Sequence, residues 1–170
     1  MGTGVPLYFA YGSNMSRAQM AERCPGAEAL GPARLTGYAL AFDRFSKRWD
    51  GYVADIVPHA GAETWGVLWR VTAAHLESLD RFEGVSSGAY RRTAVEAETP
   101  AGERHTAVAY QVVEPAAPGL PSVAYAATMA RGASEHGLPD SYCEWLNQVL
   151  SHVREPQTGP GAKVGEQPND

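Results

Sequence analysis

Apolar positions along this chain fall in short runs that stop abruptly at glycine, proline or polar clusters. The first run, VPLYFAY over 5–11, ends at Gly12-Ser13-Asn14 and reads as a buried strand. Further runs at 34–42, 51–57, 63–71, 90–98 and 104–113 predict five more strands. YRRTAVEAE alternates in part, as a sheet with one wet face does. TPAGE, between the last two strands, is a hairpin turn, and FSKRWDG (45–51) reads as a polar loop.

Four helices interrupt or follow the strands. Ser16 is placed to cap the first, with Gln19 reaching back as a capping box and Met15 and Met20 spaced as a hydrophobic staple. Cys24-Pro25-Gly26 ends it. Thr72 is placed to cap AAHLESLDRFEG, with Val71 and Leu76 as a second staple. Ser122 heads VAYAATMARGASEHG, and Asp140 heads SYCEWLNQVLSHV. In the last helix Tyr142, Trp145, Leu146, Val149 and Leu150 share one face, which predicts packing on the core. EPAAPGLP (114–121) reads as a rigid connector. Strands and helices do not alternate regularly, so the pattern predicts an α+β fold around a small, curved or closed sheet rather than a doubly wound one. One domain over 1–153 is expected, followed by a Pro-, Gly- and charge-rich disordered tail over 154–170. No internal repeat is visible.

Composition narrows the function classes. The chain has 170 residues, enough for one real core. Its net charge is -5 and it has no basic cluster, which argues against nucleic acid as a partner. No segment approaches the ~18 apolar residues that span a bilayer, so no membrane partner is expected. The N-terminal run is too short for a signal peptide, and Pro6 spoils a myristoylation pattern. Cys24 and Cys143 are too few for a disulfide framework and point to reduced thiols in a cytoplasm. The five histidines lack metal-ligand spacing and read as mostly surface residues.

Three stretches carry candidate chemistry. Gly12-Ser13-Asn14 lies between a strand end and a helix start, where unpaired N–H groups and a glycine favour an anion or a developing oxyanion. A plain turn has the same composition. In HLESLDRFEG, Leu76, Leu79 and Glu83 sit at i, i+3 and i+7, which puts a carboxylate on the apolar face at a helix C-terminus. Burial and the helix dipole both raise its pKa toward the range of a general base. The competing reading is a frayed last-turn residue paired with Arg91 or Arg92. Tyr125 shares a helical face with Met129 and Gly132, and either offers its hydroxyl to a ligand or is a core aromatic. GVSSG (84–88) matches the G-x-S-x-G nucleophile pattern around Ser86, but a helix precedes it and a strand follows, the reverse of what that motif requires.

Together, YFAYGSNM, LDRFEGVSSGAYRR and PSVAYAATMARGASEHGLPDSY, with ETWGVLWRV between them, resemble the γ-glutamylcyclotransferase family over roughly residues 7–150. The resemblance implies a small mixed β-barrel with helices packed around it. It implies that Tyr8, Phe9, Ala10, Tyr11, Gly12, Ser13 and Asn14 hold a γ-glutamyl group, that Tyr125 and Tyr90 touch the substrate, and that Glu83 is the catalytic acid/base. The implied reaction is an intramolecular aminolysis of a small-molecule γ-glutamyl amide that releases 5-oxoproline and needs no cofactor or metal. The loop after the first strand looks most like that of enzymes for γ-glutamyl amino acids, and is also similar to that of bacterial members that remove a γ-glutamyl protecting group from an antibiotic. FSKRWDGYVADIVP and EPAAPGL depart from the pattern where the leaving group would lie. A non-catalytic γ-glutamyl-binding module is the reading from another class. Some family members form homodimers, which nothing in this sequence demands.

Overall fold

The computed structural model describes residues 4–155. Five strands form a closed barrel: β1 (Leu7–Ala10), β2 (Glu28–Ser46), β3 (Gly51–Arg70), β4 (Tyr90–Glu98) and β5 (Arg104–Val112). Their order around the barrel is β1-β3-β2-β4-β5. All pairings are antiparallel except the β1–β5 contact that closes the ring. Four helices pack around it: α1 (Arg17–Arg23), α2 (Ala73–Phe82), α3 (Val123–Glu135) and α4 (Asp140–Leu150). The expected α+β barrel is therefore the observed architecture.

The strands at 51–57 and 63–71 are one strand, β3. Pro58 and Gly61 do interrupt the ladder there. Tyr38 pairs Pro58 and Thr36 pairs Glu63, so residues 59–62 bulge out opposite Gly37, whose φ of 85° no β-branched residue adopts readily. A second irregularity falls between Phe42 and Arg44, and leaves Asp43 as the extra residue. The loop at 45–51 is shorter than expected, because β2 runs to Ser46.

Helix starts follow local chemistry. Ser16 accepts from the Gln19 N–H and Ser122 from the Tyr125 N–H. Thr72 accepts from the His75 N–H, and the His75 ring accepts from the Thr72 N–H, so the box closes with a histidine in the third position. At α1 the box does not close, because the Gln19 amide turns instead to Ser13 Oγ (2.6 Å) and Asn14 Oδ1 (2.7 Å). Asp140 is the first residue of α4 rather than its cap, which is Pro139. Its charge there still suits the helix dipole. On α4, Tyr142, Leu146 and Leu150 are buried, but Trp145 lies 44% exposed. Four of the five histidines are exposed or half-exposed, as expected, and His136 is buried against Trp69. Cys24 and Cys143 are free thiols.

The expected tail lies outside the described residues except for Arg154 and Glu155. Arg154 is fixed, with its N–H on Pro121 O (2.8 Å) and its guanidinium over the Phe45 ring. Among the described residues no helix is long and apolar enough to cross a membrane.

Candidate active site

One end of the barrel opens into a cavity of about 190 Å³. Its walls come from the Gly12–Asn14 turn, from the β2–β3 hairpin, from the α2 C-terminus and from Tyr125 on α3. Glu83 is the C-cap of α2, and Gly84 beyond it takes the left-handed conformation that stops the helix. Leu76 and Leu79 are buried, so the same helical face carries the Glu83 carboxylate into the cavity wall. Arg92 is bound by Asp80 (2.6 and 2.8 Å) and Arg91 by Gln111, so neither pairs with Glu83. Loss of hydration raises the Glu83 pKa to about 7, against the opposing charges of Arg23 and Arg44.

Asn14 organises the surroundings of that carboxylate. Its Oδ1 accepts from Gln19 (2.7 Å) and from the buried Arg23 guanidinium (3.1 Å). Two donors on the oxygen fix which way the amide points. Its nitrogen therefore donates to Tyr8 OH (3.0 Å) and to Glu83 Oε1 (3.3 Å). Arg23 in turn lies over the Phe82 ring at 4.5 Å, beside Arg48 at 5.0 Å. Asn14→Asp puts a carboxylate 3.3 Å from the Glu83 carboxylate, where like charge raises pKa further. The expected result is an alkaline shift of the acid limb of kcat/KM, read from pH–rate profiles of the two proteins.

The strand residue Ala54 is gripped on both backbone groups. Its N–H donates to Tyr125 OH (3.0 Å), and its C=O accepts from Tyr90 OH (2.8 Å). Tyr125 OH also faces the Ser13 N–H, and burial pushes its pKa up to about 12. With its oxygen occupied, this hydroxyl keeps its proton to donate into the cavity. Gly12 permits this approach: a Cβ there would lie 2.8 Å from Tyr125 OH. Among the described residues no protein acceptor takes the backbone N–H of Gly12 or of Asn14.

Seven of the sequence-predicted residues besides Glu83 therefore meet in one cavity: Tyr8, Tyr11, Gly12, Ser13, Asn14, Tyr90 and Tyr125. Phe9 and Ala10 do not. Both are buried in the core, with the Phe9 ring against Gly66. Strand alternation turns Phe9 away from the side Tyr8 faces. Ser86 sits exposed in a 3-10 turn between α2 and β4, outside the cavity lining. Sequence reasoning missed Arg23, Arg44, Arg48, Trp49 and Tyr110 as wall residues. Arg48 and Trp49 lay within the loop set aside as divergent, and Arg23 occupies the last turn of α1, where a solvated cation is common.

Comparisons with known proteins agree with this geometry. Residues 63–146 match the AIG2-like family. The chain is 38% identical to the γ-glutamylcyclotransferase of Mus musculus over 148 residues, covering 84% of this chain and 78% of that protein. It is 37% identical to the γ-glutamylcyclotransferase of Homo sapiens over 169 residues, covering 96% and 86%. A solved γ-glutamyl cyclotransferase superposes with a TM-score of 0.84 at 33% identity, over 92% of this chain and 94% of that one. With a closed barrel, a carboxylate raised to about 7 in its cavity and relatives matched over most of their length, the chain belongs to the γ-glutamylcyclotransferase family.

Proposed function

We propose that this chain cyclises a γ-glutamyl amide, releasing 5-oxoproline and the amine that leaves. The observation that carries the reading is the Glu83 carboxyl, held in the cavity wall with its pKa at about 7. The substrate's α-amine, with a pKa near ~8, is mostly protonated at neutral pH and must lose a proton to attack. Glu83 takes that proton. The nitrogen lone pair then forms a bond to the γ-carbonyl carbon, and a tetrahedral intermediate results. Protonated Glu83 gives that proton to the departing nitrogen as the original C–N bond breaks. The regenerated carboxylate then passes the second proton of the cyclised nitrogen to the freed amine, which leaves a neutral lactam, an ammonium product and an ionised Glu83. A base matched to the operating pH serves each of these transfers. The free N–H groups of Gly12 and Asn14 and the Tyr125 hydroxyl supply donors for substrate oxygens, each worth ~3 kcal/mol when it meets a developing oxyanion. Folding the glutamyl chain back on itself supplies effective molarities of ~10^5 M or more.

The leaving group occupies the side of the cavity lined by Arg44, Arg48, Trp49 and Phe82 in this reading. Arg44 and Arg48 form no ion pair among the described residues. Two uncommitted cations favour a leaving group that bears a carboxylate, such as an amino acid. They disfavour a polycationic aminoglycoside, because like charges in an entrance repel. The test is 5-oxoproline release from γ-glutamyl amino acids, glutathione, γ-glutamylamines and a γ-glutamylated aminoglycoside. Release is expected, and is expected to be fastest where the leaving group carries a carboxylate. Binding without release across the panel would leave a binding module. Arg48→Glu, at the exposed edge of the cavity, is expected to lower kcat/KM for carboxylate-bearing substrates about five-fold, the worth of ~1 kcal/mol at a solvated site. It should narrow their advantage over γ-glutamylamines, and an unchanged ratio would remove Arg48 from selectivity.

A further inference from the structure

Two carboxyl groups outside the cavity are buried together. Asp55 is wholly inaccessible and Asp43 is 4% exposed. One oxygen of each, Asp43 Oδ1 and Asp55 Oδ2, has no partner among ordinary donors, and no Lys, Arg or His pairs with either residue among the described residues. The two side chains nevertheless face one another within hydrogen-bond reach. Two carboxylates cannot make that contact, whereas a carboxylic acid and a carboxylate can. We propose that Asp43 and Asp55 share one proton, and that this proton holds the Ala54 segment of β3 in the shape the cavity needs.

The placement of the pair gives the proton its leverage. Asp43 is the bulged residue of β2, inserted where Phe42 pairs Ala54 and Arg44 pairs Val53. Its backbone C=O accepts the Ala116 N–H (2.8 Å) from the connector before α3. Asp55 Oδ1 accepts the N–H of Ile56 (2.8 Å) and of Val112 at the end of β5 (2.9 Å). Strands β3 and β5 are not ladder neighbours, because short β1 stands between them. Past the end of β1, the Asp55 carboxylate and the Gln111 amide on Ile56 O (3.1 Å) stitch β3 to β5. The pair thus flanks Ala54 and Arg44, and Ala54 holds the hydroxyls of both Tyr90 and Tyr125. The titratable groups that sense Asp55 are Asp43 from β2, Tyr11 beyond β1 and Tyr90 from β4. All three are neutral or negative, so none offsets a second ionisation. Burial first, and then Asp43, raises the Asp55 pKa to about 7.

Asp43 and Asp55 are positioning residues here, and the test separates positioning from bulk structure. In the Glu83→Gln protein at about pH 6, ordinary carboxyls with pKa near ~4 are ionised. Infrared spectroscopy should then show a protonated-carboxyl C=O stretch, and that band should vanish when Asp55→Asn or Asp43→Asn is added. An amide supplies a permanent hydrogen to the remaining carboxylate. With Glu83 intact, KM of the wild type should therefore climb relative to that of Asp55→Asn by about five-fold between about pH 6 and about pH 9, while the kcat limb set by Glu83 stays in both. Asp43→Asn reads the same quantity should Asp55→Asn fold poorly. Absence of the band in Glu83→Gln, or equal pH dependence of KM in wild type and both amide variants, overturns the proposal. So does a rise in Tm on adding Ca2+ that a chelator reverses, because a cation would then hold the pair. The infrared and thermal readings need no turnover, so they stand apart from the proposed reaction.

Discussion

Glu83→Gln is expected to bind a γ-glutamyl amino acid nearly as well as the wild type and to turn it over ~10^2 to ~10^4 times more slowly, the range a positioned acid/base supplies. Glutamine has the same shape, and its carbonyl oxygen can still accept the Asn14 N–H that now reaches Glu83 Oε1 at 3.3 Å. What it cannot do is take a proton from the α-ammonium. Calorimetric titration of the substrate beside a 5-oxoproline assay separates the two properties. Near-normal turnover would sink the acid/base role.

Stability gives an independent sign. The folded-state pKa of Glu83 is about 7, against ~4.3 for an exposed glutamate. Between those values the folded chain holds a proton that the unfolded chain has lost, so stability falls as pH rises through this window. The effect is fully present as stability below ~4 and exhausted above about 7, and amounts to something on the order of 3 kcal/mol. Glu83→Gln removes it, so the variant should melt higher than the wild type at alkaline pH and at a similar temperature in acid. Asp55 titrates in the same window with the same sign, and the wild-type slope is the sum of both.

Gly132→Ala has the second large expected effect, and its sign is opposite to what helix propensity alone suggests. Alanine inside a helix is favoured over glycine by ~1 kcal/mol. Gly132 lies on the buried face of α3 with Tyr125 and Met129. A Cβ there would stand 2.5 Å from the Met15 carbonyl carbon and 2.6 Å from Ser16 N. These obstacles are mostly backbone, which cannot swing aside as the end of a side chain can. Helix α3 must then lift off the Ser13–Met15 turn, or the turn must move. Overpacking of this kind costs ~3 kcal/mol or more, which outweighs the propensity gain. For a chain of this size that is a fall in Tm of about 6–12 °C. The same displacement draws Tyr125 from Ala54 and shifts Ser13 and Asn14, so kcat/KM should drop ~10^2-fold through lost alignment. A Gly132→Ala protein that melts at or above the wild type would show that the contact is not tight in solution.

The sequence revealed those features that are encoded over one helical turn or one strand period. Ser16, Thr72 and Ser122 each sit where a cap is required, and each caps. Glu83 was readable because Leu76 and Leu79 define its face. Features that depend on distant partners were not readable. Nothing near Arg23 announces that its guanidinium meets Asn14 and Phe82 rather than water. Asp55 stands out as a charge within GYVADIVP, but its partner at Asp43 is set by a bulge that the strand pattern does not show. Phe9 illustrates the opposite error. A motif read as a continuous string credits every letter with the same job, although a strand turns neighbouring side chains to opposite sides.

Trp49 sits on the cavity wall with its indole edge-on to Tyr125, ring centres 5.1 Å apart. The other three tryptophans lie elsewhere: Trp65 bonded to Glu63 at the surface, Trp69 against His136, and Trp145 on the outer side of α4. The protein therefore carries a built-in optical reporter of cavity occupancy. With Trp65, Trp69 and Trp145 replaced by phenylalanine, the remaining emission would follow ligand arrival and product departure in real time, with no label attached.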